Sequence, residues 1–552
     1  MKKLFSLLLT LAMLSCMTAA FAETLSGKAY GFANGVIEVS LTLDDGKITS
    51  LDITSELQTP TVGGAAIDSL KEEILASGTI DGVDAVTGAT LTSNGLFKAI
   101  RVALGQEASD VQEASEDVTA QTVGTLNHGI GVTVTPRLGP GSDDQGVPVY
   151  SFNVVAAYVL TDADGRIVDL EVDILEIITP NHDGAHDNYI AGWPGSSYNN
   201  DADADGVVDS THEETEETFT TNLSAWQTKR DLGENYVMNS GTWTQEMDAY
   251  ESVFKGMTAA EVKEWAAKYC SDVNGRALHG TSAKEEDIAK WDALSEDEKA
   301  SLDAISTATM SLTDAHGNIV EAIEKAAENQ TPVDSDADIA RMGFGIVVTP
   351  RLGPGSDDQG TPVYSFNVVL AGALYDDEDR MADLTTDILE VITPNHDGAY
   401  DNVFTGWPGQ SYNNDADADG VVDGVLEQTE ETFTAQFATW QTKRDLGENY
   451  VMNSGTWTQE MDAYESVFKG MTAAEASEWV AAYCSDVNGR ALHGTSTKEE
   501  DIAKWDALSE EEKASLDAIS CATMSLTDAH GNLLSAIEKA FANAKTCLIE
   551  IQ

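Results

Sequence analysis

A long internal repeat constrains the fold of this 552-residue chain more than any other sequence feature. The segment WQTKRDLGENYVMNSGTWTQEMDAYESVFKGMTAAE occupies residues 226–261 and returns unchanged at 440–475. The shorter segment TPRLGPGSDDQG occupies 135–146 and 349–360. Both matches have the same offset of 214 residues, from 226 to 440 and from 135 to 349, so nothing is inserted between them. The chain therefore contains two copies of one domain of about 200 residues, a usual domain size.

The repeat also sets the predicted domain boundaries. We predict a signal peptide at 1–22, a first domain at 23–106, an acidic linker at 107–127, a large repeat at 128–328, a second linker at 329–341 and a second large repeat at 342–545. Both linkers are polar and lack an apolar pattern, which is typical of solvated segments. All ten tryptophans lie in the two large repeats.

Local patterns predict the same kind of module in each domain. GVIEVSLTLDDGKITSLDIT, at 35–54, alternates apolar and polar residues around a turn, and a second such hairpin is predicted at 150–175. The frame Asp-Ala-x-Ser/Thr-x-Ala-Thr occupies residues 84–90, where a helical pattern follows it, and it recurs at 303–309 and 517–523. The sequence therefore predicts an α+β fold of three related modules, each an antiparallel sheet or hairpin packed with helices.

The charge of the chain excludes two classes of partner. Asp and Glu number 94 against 31 Lys and Arg, which gives a formal net charge of −63. Such a field repels nucleic acid and anionic lipid surfaces, and it attracts cations. We therefore expect no nucleic-acid partner.

The first residues have the pattern of an export signal. Lys2 and Lys3 precede an apolar run, and Ala20-Phe21-Ala22 is a small-x-small cleavage site. Cys16 leaves a lipid anchor as the alternative, although Met-Leu-Ser before it is a poor lipobox. No other segment approaches the ~18 apolar residues that cross a bilayer. The predicted location is outside the cytoplasm, secreted or in the cell envelope, with no transmembrane span in the mature chain.

The segment DAVTGATLTS, residues 84–93, permits two interpretations. A phosphate site needs exposed backbone N–H groups at a helix start, hydroxyl groups and a residue without Cβ, and all three are present. The plainer alternative is that Thr92 or Ser93 only caps the helix that follows. The candidate cofactor-binding residues are Asp84, Thr87, Gly88, Ala89, Thr90, Thr92 and Ser93.

DAVTGAT resembles the motif Asp-x-x-Ser/Thr-Gly-Ala-Thr of the FMN-binding domain family, known from flavin subunits of the sodium-pumping NADH:quinone oxidoreductase and the Rnf complex. The resemblance covers about 24–106. It implies that an FAD:protein FMN transferase attaches FMN through a phosphoester to Thr90. Thr309 and Thr523 occupy the same place in the two large repeats, but Gly88 is replaced there by Thr307 and Cys521.

This resemblance predicts an exported, membrane-associated or secreted electron carrier, with redox proteins as donor and acceptor. No Ser-His-Asp, Cys-His or HExxH arrangement stands out, so the pattern favours an electron-transfer protein or one part of an extracytoplasmic reductase over a complete enzyme.

A calcium-dependent binding protein is the alternative function. NNDADADGVVD, at 199–209 and 413–423, has the oxygen-ligand spacing of the first half of an EF-hand-like loop. The position of the final glutamate holds His212 or Leu426 instead, so an acidic solvated turn stays open. The candidate metal ligands are Asp201, Asp203, Asp205, Asp209, Asp415, Asp417, Asp419 and Asp423.

Overall fold

The computed structural model shows an α+β protein. It describes residues 24–30, 36–44, 47–55, 65–80, 83, 86, 90–106, 121–142, 148–177, 197–200, 210–213, 215–238, 241–305, 308–313, 317–333, 338–356, 362–391, 411–414, 424–427, 429–437, 439–452, 454–527 and 531–551. The chain divides into two compact units, residues 1–118 with 237–245 and residues 119–236 with 246–552. The signal peptide predicted at 1–22 lies outside the described residues.

The first domain is a three-stranded antiparallel sheet with two helices. Its elements are β1 (Thr24–Tyr30), β2 (Val36–Asp44), β3 (Lys47–Ser55), α1 (Ala65–Ser77) and α2 (Thr90–Ala103). The strands pair in the order β1-β2-β3. The predicted hairpin is confirmed as β2 and β3, and α2 begins at Thr90.

Close packing fixes α2 against this sheet. Apolar side chains of β2, such as Val39 and Leu41, share a buried core with Leu96 and Ile100 of α2. A Cβ added to Gly27 of β1 would overlap backbone atoms of α2. The helix therefore lies against the strand at a distance that only glycine permits.

The first large repeat has the same core elements with further pieces added. They are β4 (Gln121–Val123), β5 (Leu126–Ser142), β6 (Pro148–Asp162), β7 (Ile167–Ile177), β8 (Ser197–Asn200), β9 (Ser210–Glu213), α3 (Glu216–Ala225), α4 (Lys229–Leu232), β10 (Val237–Met238), β11 (Gly241–Thr242), α5 (Trp243–Phe254), α6 (Ala259–Tyr269), α7 (Glu285–Asp292), α8 (Glu296–Ala304), α9 (Ile319–Glu328) and β12 (Thr331–Pro332). The predicted hairpin is confirmed as β6 and β7.

The second large repeat follows the same order. Its elements are β13 (Ile339–Ser356), β14 (Pro362–Tyr375), β15 (Met381–Val391), β16 (Ser411–Asn414), β17 (Gly424–Glu427), α10 (Glu430–Phe437), α11 (Lys443–Leu446), β18 (Val451–Met452), β19 (Gly455–Thr456), α12 (Trp457–Phe468), α13 (Ala473–Tyr483), α14 (Glu499–Ala507), α15 (Glu510–Ala518), α16 (Leu533–Ala542) and β20 (Lys545–Ile551). Strands β4 and β12 fall within the stretches predicted as linkers, 107–127 and 329–341.

The two large repeats exchange secondary structure. Helix α3 of the first repeat packs on β13 of the second, and α10 of the second packs on β5 of the first. Strand β4 joins the sheet of the second repeat, where it pairs in parallel with β20. Because each copy completes the other, the two repeats form one folded body.

The two repeats also share one apolar core. Phe152 of the first repeat contacts Phe437 and Trp440 of the second, with ring centroids 5.1 and 5.6 Å apart. Trp226, also of the first repeat, packs edge-on against Phe366 of the second. This core buries aromatic rings from both copies, so the contact between them depends mainly on the hydrophobic effect.

The glycine contact of the first domain recurs in both large repeats. A Cβ on Gly131 of β5 would overlap backbone atoms of Ala322 and Ala326 in α9. A Cβ on Gly345 of β13 would overlap α16 in the same way. Each module thus carries its helix on the first strand of its sheet at the same close distance, as expected for three related modules.

We expect Gly131→Ala to lower the free energy of unfolding of the large repeats by about 3 kcal/mol, because the added methyl must push the helix away from the strand. Tryptophan fluorescence during urea unfolding measures this, since every tryptophan lies in these repeats. Gly124→Ala is the matched control: its Cβ has no neighbour within 4 Å, and a change below about 0.5 kcal/mol is expected. An equal effect of both substitutions would contradict the close contact.

The buried Asp387 of β15 predicts a pH-dependent stability. Its Oδ1 accepts hydrogen bonds from the backbone N–H groups of Ile388 and Arg444, at 2.8 and 3.1 Å. Its Oδ2 is buried without a partner among the described residues. Burial, and next the charge of Asp445, raise the pKa of this carboxyl to about 7. The folded state therefore keeps a proton that the unfolded state loses near pH 4.

From this shift we expect the free energy of unfolding to fall as the pH rises from about 4 to 7, by up to about 1.4 kcal/mol per pH unit for this group. Asp387→Asn keeps the site neutral and should flatten the dependence on pH relative to the parent chain. Asp377→Asn, on an exposed turn, removes the same charge and should leave the slope unchanged. Urea unfolding at several pH values gives the slopes, and identical slopes for all three chains would rule out this titration.

Candidate functional site

The candidate flavin site lies at the start of α2. Thr90 is the first residue of the helix, so the N–H groups of its first turn have no acceptor within the helix. No acidic residue stands in that turn, although acids outnumber bases threefold in the chain. Together the first-turn N–H groups and the helix dipole favour a phosphate at this point.

Two predicted hydroxyl residues of α2 point into the domain. The Ser93 Oγ accepts a hydrogen bond of 3.1 Å from the backbone N–H of Val86, and Ser93 is fully buried. Thr92 is buried as well. Ser93 thus ties the preceding loop to the helix. Because α2 begins at Thr90, Thr92 and Ser93 lie inside the helix, and the interpretation of either as its cap is wrong.

The rest of the predicted site lies outside the described residues. This applies to Asp84, Thr87, Gly88 and Ala89, and to the side chain of Thr90, whose backbone alone is described. The described backbone nevertheless fits FMN: a threonine begins a helix whose first turn offers N–H donors and no competing carboxylate.

Thr309 and Thr523 lie in a different structural position from Thr90. The helix residue that lies against the strand glycine gives a common reference point: it is Ala99, against Gly27, in the first domain and Ala322, against Gly131, in the first large repeat. Thr90 lies on the helix, nine residues before Ala99, whereas Thr309 lies thirteen residues before Ala322. Thr309 is therefore on the segment that precedes α9, and Thr523 is on the segment that precedes α16. The four extra residues separate these threonines from the helix start.

A buried carboxylate holds each of these two threonines. The Thr523 Oγ1 donates a hydrogen bond of 2.9 Å to Glu460 Oε1, and its N–H donates to Oε2 at 2.8 Å. Thr309 makes the same pair of bonds to Glu246, at 3.0 and 2.8 Å. Burial raises the pKa of both glutamates, while the threonine bonds act in the opposite direction. A phosphoester does not fit here, because its negative charge would face a carboxylate.

A tyrosine on the same helix as each glutamate also contacts this segment. The Tyr464 hydroxyl lies 3.0 Å from the carbonyl oxygens of both Ala522 and Met524. Tyr250 contacts the carbonyl oxygens of Ala308 and Met310 in the same way. These tyrosines and glutamates were not predicted from the sequence. The available signal was their place in WTQEMDAY, which is identical in both repeats.

The predicted calcium loops lie outside the described residues, but their flanks do not. The loop at 201–209 joins β8 to β9, where Asn200 pairs with Ser210, and the loop at 415–423 joins β16 to β17. Strands therefore flank these loops, whereas EF-hand loops lie between helices. In the part of the chain that the structure describes, no cluster of three metal-ligating side chains occurs.

Four cysteines of the described ranges are free thiols: Cys270, Cys484 and Cys547 are buried, and Cys521 is half-buried. Burial raises the pKa of Cys270 to about 12, which suits an inert core thiol. None of the helices within the described ranges is both long and apolar enough to cross a bilayer.

Comparison with known proteins places the first domain in a family. Residues 33–105 match the family model of the FMN-binding domain, so this part of the chain is an FMN-binding domain. The match ends two residues after the last residue of α2 and includes the candidate site.

A relative named chlorophenol reductase, from Desulfitobacterium hafniense, is 34% identical over 187 residues, which cover 32% of this chain and 51% of that protein. The chain thus spans about half the length of this relative. The two comparisons together support a flavin-binding redox protein.

The hydrogen bond to Glu460 predicts a cost for removing the Thr523 hydroxyl. We expect Thr523→Val to lower the free energy of unfolding by about 2 kcal/mol, because a buried carboxylate oxygen loses a donor. Thr523→Ser should restore most of the loss, while Ser520→Ala, at an exposed hydroxyl nearby, should change little. Urea unfolding followed by tryptophan fluorescence distinguishes these variants, and a neutral Thr523→Val would show that the bond contributes nothing.

Proposed function

We propose that this chain is an exported flavoprotein electron carrier with FMN attached through a phosphoester to the hydroxyl of Thr90. The observation that carries the proposal is the coincidence of two features. The FMN-binding family match covers 33–105, and within it the motif threonine begins a helix without acidic residues in its first turn.

The attachment is a phosphoryl transfer. The transferase breaks the pyrophosphate bond of FAD, the FMN phosphorus forms a bond to the Thr90 oxygen, AMP leaves, and the hydroxyl proton passes to solvent. No oxidant or reductant is consumed. A covalent link suits an exported protein, because free flavin outside a cell is dilute and a reversible site would stay partly empty.

The residues of the first domain hold and orient the group. First-turn N–H groups of α2 would bind the phosphate, Ser93 keeps the loop against the helix, and the close contact at Gly27 fixes the helix on the sheet. Bound FMN supplies one- and two-electron redox chemistry. The acidic chain favours a donor and an acceptor with basic docking surfaces.

A second candidate function is a component of an extracytoplasmic reductase for a small aromatic acceptor. It is favoured by the 34% identity with a protein named chlorophenol reductase. Oxidation of the reduced flavoprotein by a chlorophenol, with release of chloride, supports this function. Reaction only with redox proteins supports the carrier function instead.

For the attachment, we expect chain made together with an FMN transferase to carry one FMN per molecule, to stay yellow after denaturation, and to fluoresce on the peptide that contains Thr90. Thr90→Val should be colourless and of unmodified mass, and Thr90→Ser should retain the group. The double variant Thr309→Val, Thr523→Val is the control and should still carry one FMN. Intact mass decides: FMN on the Thr90→Val chain, or a bare Thr90 with an active transferase, would exclude the proposed link.

A further inference from the structure

A tryptophan and a tyrosine on α13 form a ring pair close to the surface of the second repeat. Trp479 and Tyr483 are one helical turn apart, and their ring centroids are separated by 5.5 Å. Both side chains are half-buried, so small molecules in solution can reach them. Because the rate of electron transfer falls steeply with distance, two rings in contact exchange an electron faster than separated rings do.

The phenol of Tyr483 is hydrogen-bonded to a carboxylate. Its hydroxyl donates to Glu512 Oε1 at 2.9 Å, inside the range of about 2.6–3.2 Å from which a base can take a proton. This bond raises the pKa of Tyr483, because the carboxylate charge opposes a phenolate beside it. Loss of an electron makes a phenol proton strongly acidic. Glu512 can therefore accept the proton that Tyr483 releases when it is oxidised.

Glu512 is held as an anion at the start of α15. The backbone N–H and the hydroxyl of Ser509 both donate to its Oε2 at 2.7 Å, and these bonds lower the pKa of the carboxyl. The other oxygen, Oε1, receives the Tyr483 hydroxyl. In the part of the chain that the structure describes, no cationic side chain forms an ion pair with this carboxylate.

The first repeat contains the same arrangement with one difference. The rings of Trp265 and Tyr269 are 5.4 Å apart, and the Tyr269 hydroxyl donates to Glu298 Oε1 at 2.9 Å. Here Lys268 donates to the same oxygen, and its ammonium group lies 4.8 Å from the centre of the Tyr269 ring. The second repeat has Ala482 in place of this lysine.

Lys268 makes the oxidation of Tyr269 less favourable for two reasons. Its positive charge repels the positive charge that develops on the oxidised ring. Its hydrogen bond also lowers the pKa of Glu298 to about 2, and a proton on Glu298 would deprive the lysine of its ion-pair partner. Because the lysine is exposed, solvent screens these effects, and we expect a difference of several-fold between the repeats.

We propose that Tyr483 and Glu512 form a redox-active site, at which the second repeat undergoes proton-coupled one-electron oxidation. An oxidising radical, such as the azide radical, takes one electron from the Trp479 indole and is itself reduced to the anion. Tyr483 then returns one electron to the indole radical cation, and its hydroxyl proton passes to Glu512. The indole is restored, and a neutral tyrosyl radical and a neutral carboxyl group remain. No flavin takes part in this step, so it is independent of the first domain.

The test uses the full chain at pH 7. Radiolysis of an azide solution saturated with nitrous oxide produces azide radicals, which are uncharged and hence not attracted by the acidic surface. The trap 2-methyl-2-nitrosopropane converts tyrosyl radicals to adducts, and peptide mass spectrometry measures the adduct at each tyrosine. We expect about threefold more adduct at Tyr483 than at Tyr269. The two tyrosines are distinguished by the differing residues before them, 262–268 and 476–482.

Exchange of the residue before each tyrosine is the decisive comparison, since Lys268 and Ala482 are both exposed. Lys268→Ala should raise the adduct at Tyr269 about threefold, and Ala482→Lys should lower the adduct at Tyr483 by a similar factor. Glu512→Gln, which retains a residue suited to the capping box, should also lower the adduct at Tyr483 about threefold. Equal adduct at the two tyrosines of the parent chain, or unchanged adduct in the exchanged variants, overturns the proposed site.

Transfer from Trp479 has a control of its own. Trp479→Phe should lower the adduct at Tyr483 at least twofold, whereas Trp505→Phe, which removes a half-buried tryptophan from α14, should leave it unchanged. The melting temperature shows whether each variant is folded. Undiminished adduct at Tyr483 in a folded Trp479→Phe variant excludes the electron transfer between the two rings.

Discussion

Close contact between a strand glycine and a helix backbone determines the geometry of all three modules. Gly27, Gly131 and Gly345 each lie so near a helix that a single methyl group would overlap its backbone. The helix consequently packs on two neighbouring strands, which are β1 and β2, β5 and β6, or β13 and β14. The same contact fixes the position of the helix start. Because the start of α2 carries Thr90, the position of the proposed flavin link follows from a packing constraint about nine residues away.

The segment before the helix determines whether a module with this shared packing can accept a phosphate group. In the first domain the motif threonine belongs to the helix, in a first turn without acidic residues. In the large repeats four more residues move the threonine away, and a buried glutamate takes the two hydrogen bonds that it offers. Such a glutamate stabilises the segment and at the same time opposes a phosphate. Related modules thus differ in function through the chain just before one helix.

The sequence allowed the local structure to be predicted and left the long-range pairing open. Alternating residues around turns indicated the hairpins β2-β3 and β6-β7, and the helical pattern that follows residues 84–90 indicated α2. Nothing local indicated that β4 pairs with β20, more than 400 residues away, because an identical pattern in two repeats does not specify which copy a strand joins. The hydrogen bonds of Glu246 to Thr309 were not predicted either, because a glutamate on an amphipathic helix normally faces water. In the candidate site the motif identified Thr90, whereas the Ser93 bond to the loop required coordinates.

Joining two repeats in one chain permits an interface that a symmetric dimer could not form. Tyr158 of the first repeat packs against Gly372, its own counterpart at the offset of 214, and a Cβ at Gly372 would lie 2.5 Å from the Tyr158 ring. The Tyr158 hydroxyl also meets His128 Nδ1 at 2.9 Å, and burial lowers the pKa of this histidine to about 4, so the pair is neutral at pH 7. In a homodimer every substitution appears twice, so a tyrosine at this position would meet another tyrosine instead of a glycine. The fused chain escapes that restriction, because each copy can change alone and the other can adapt to it.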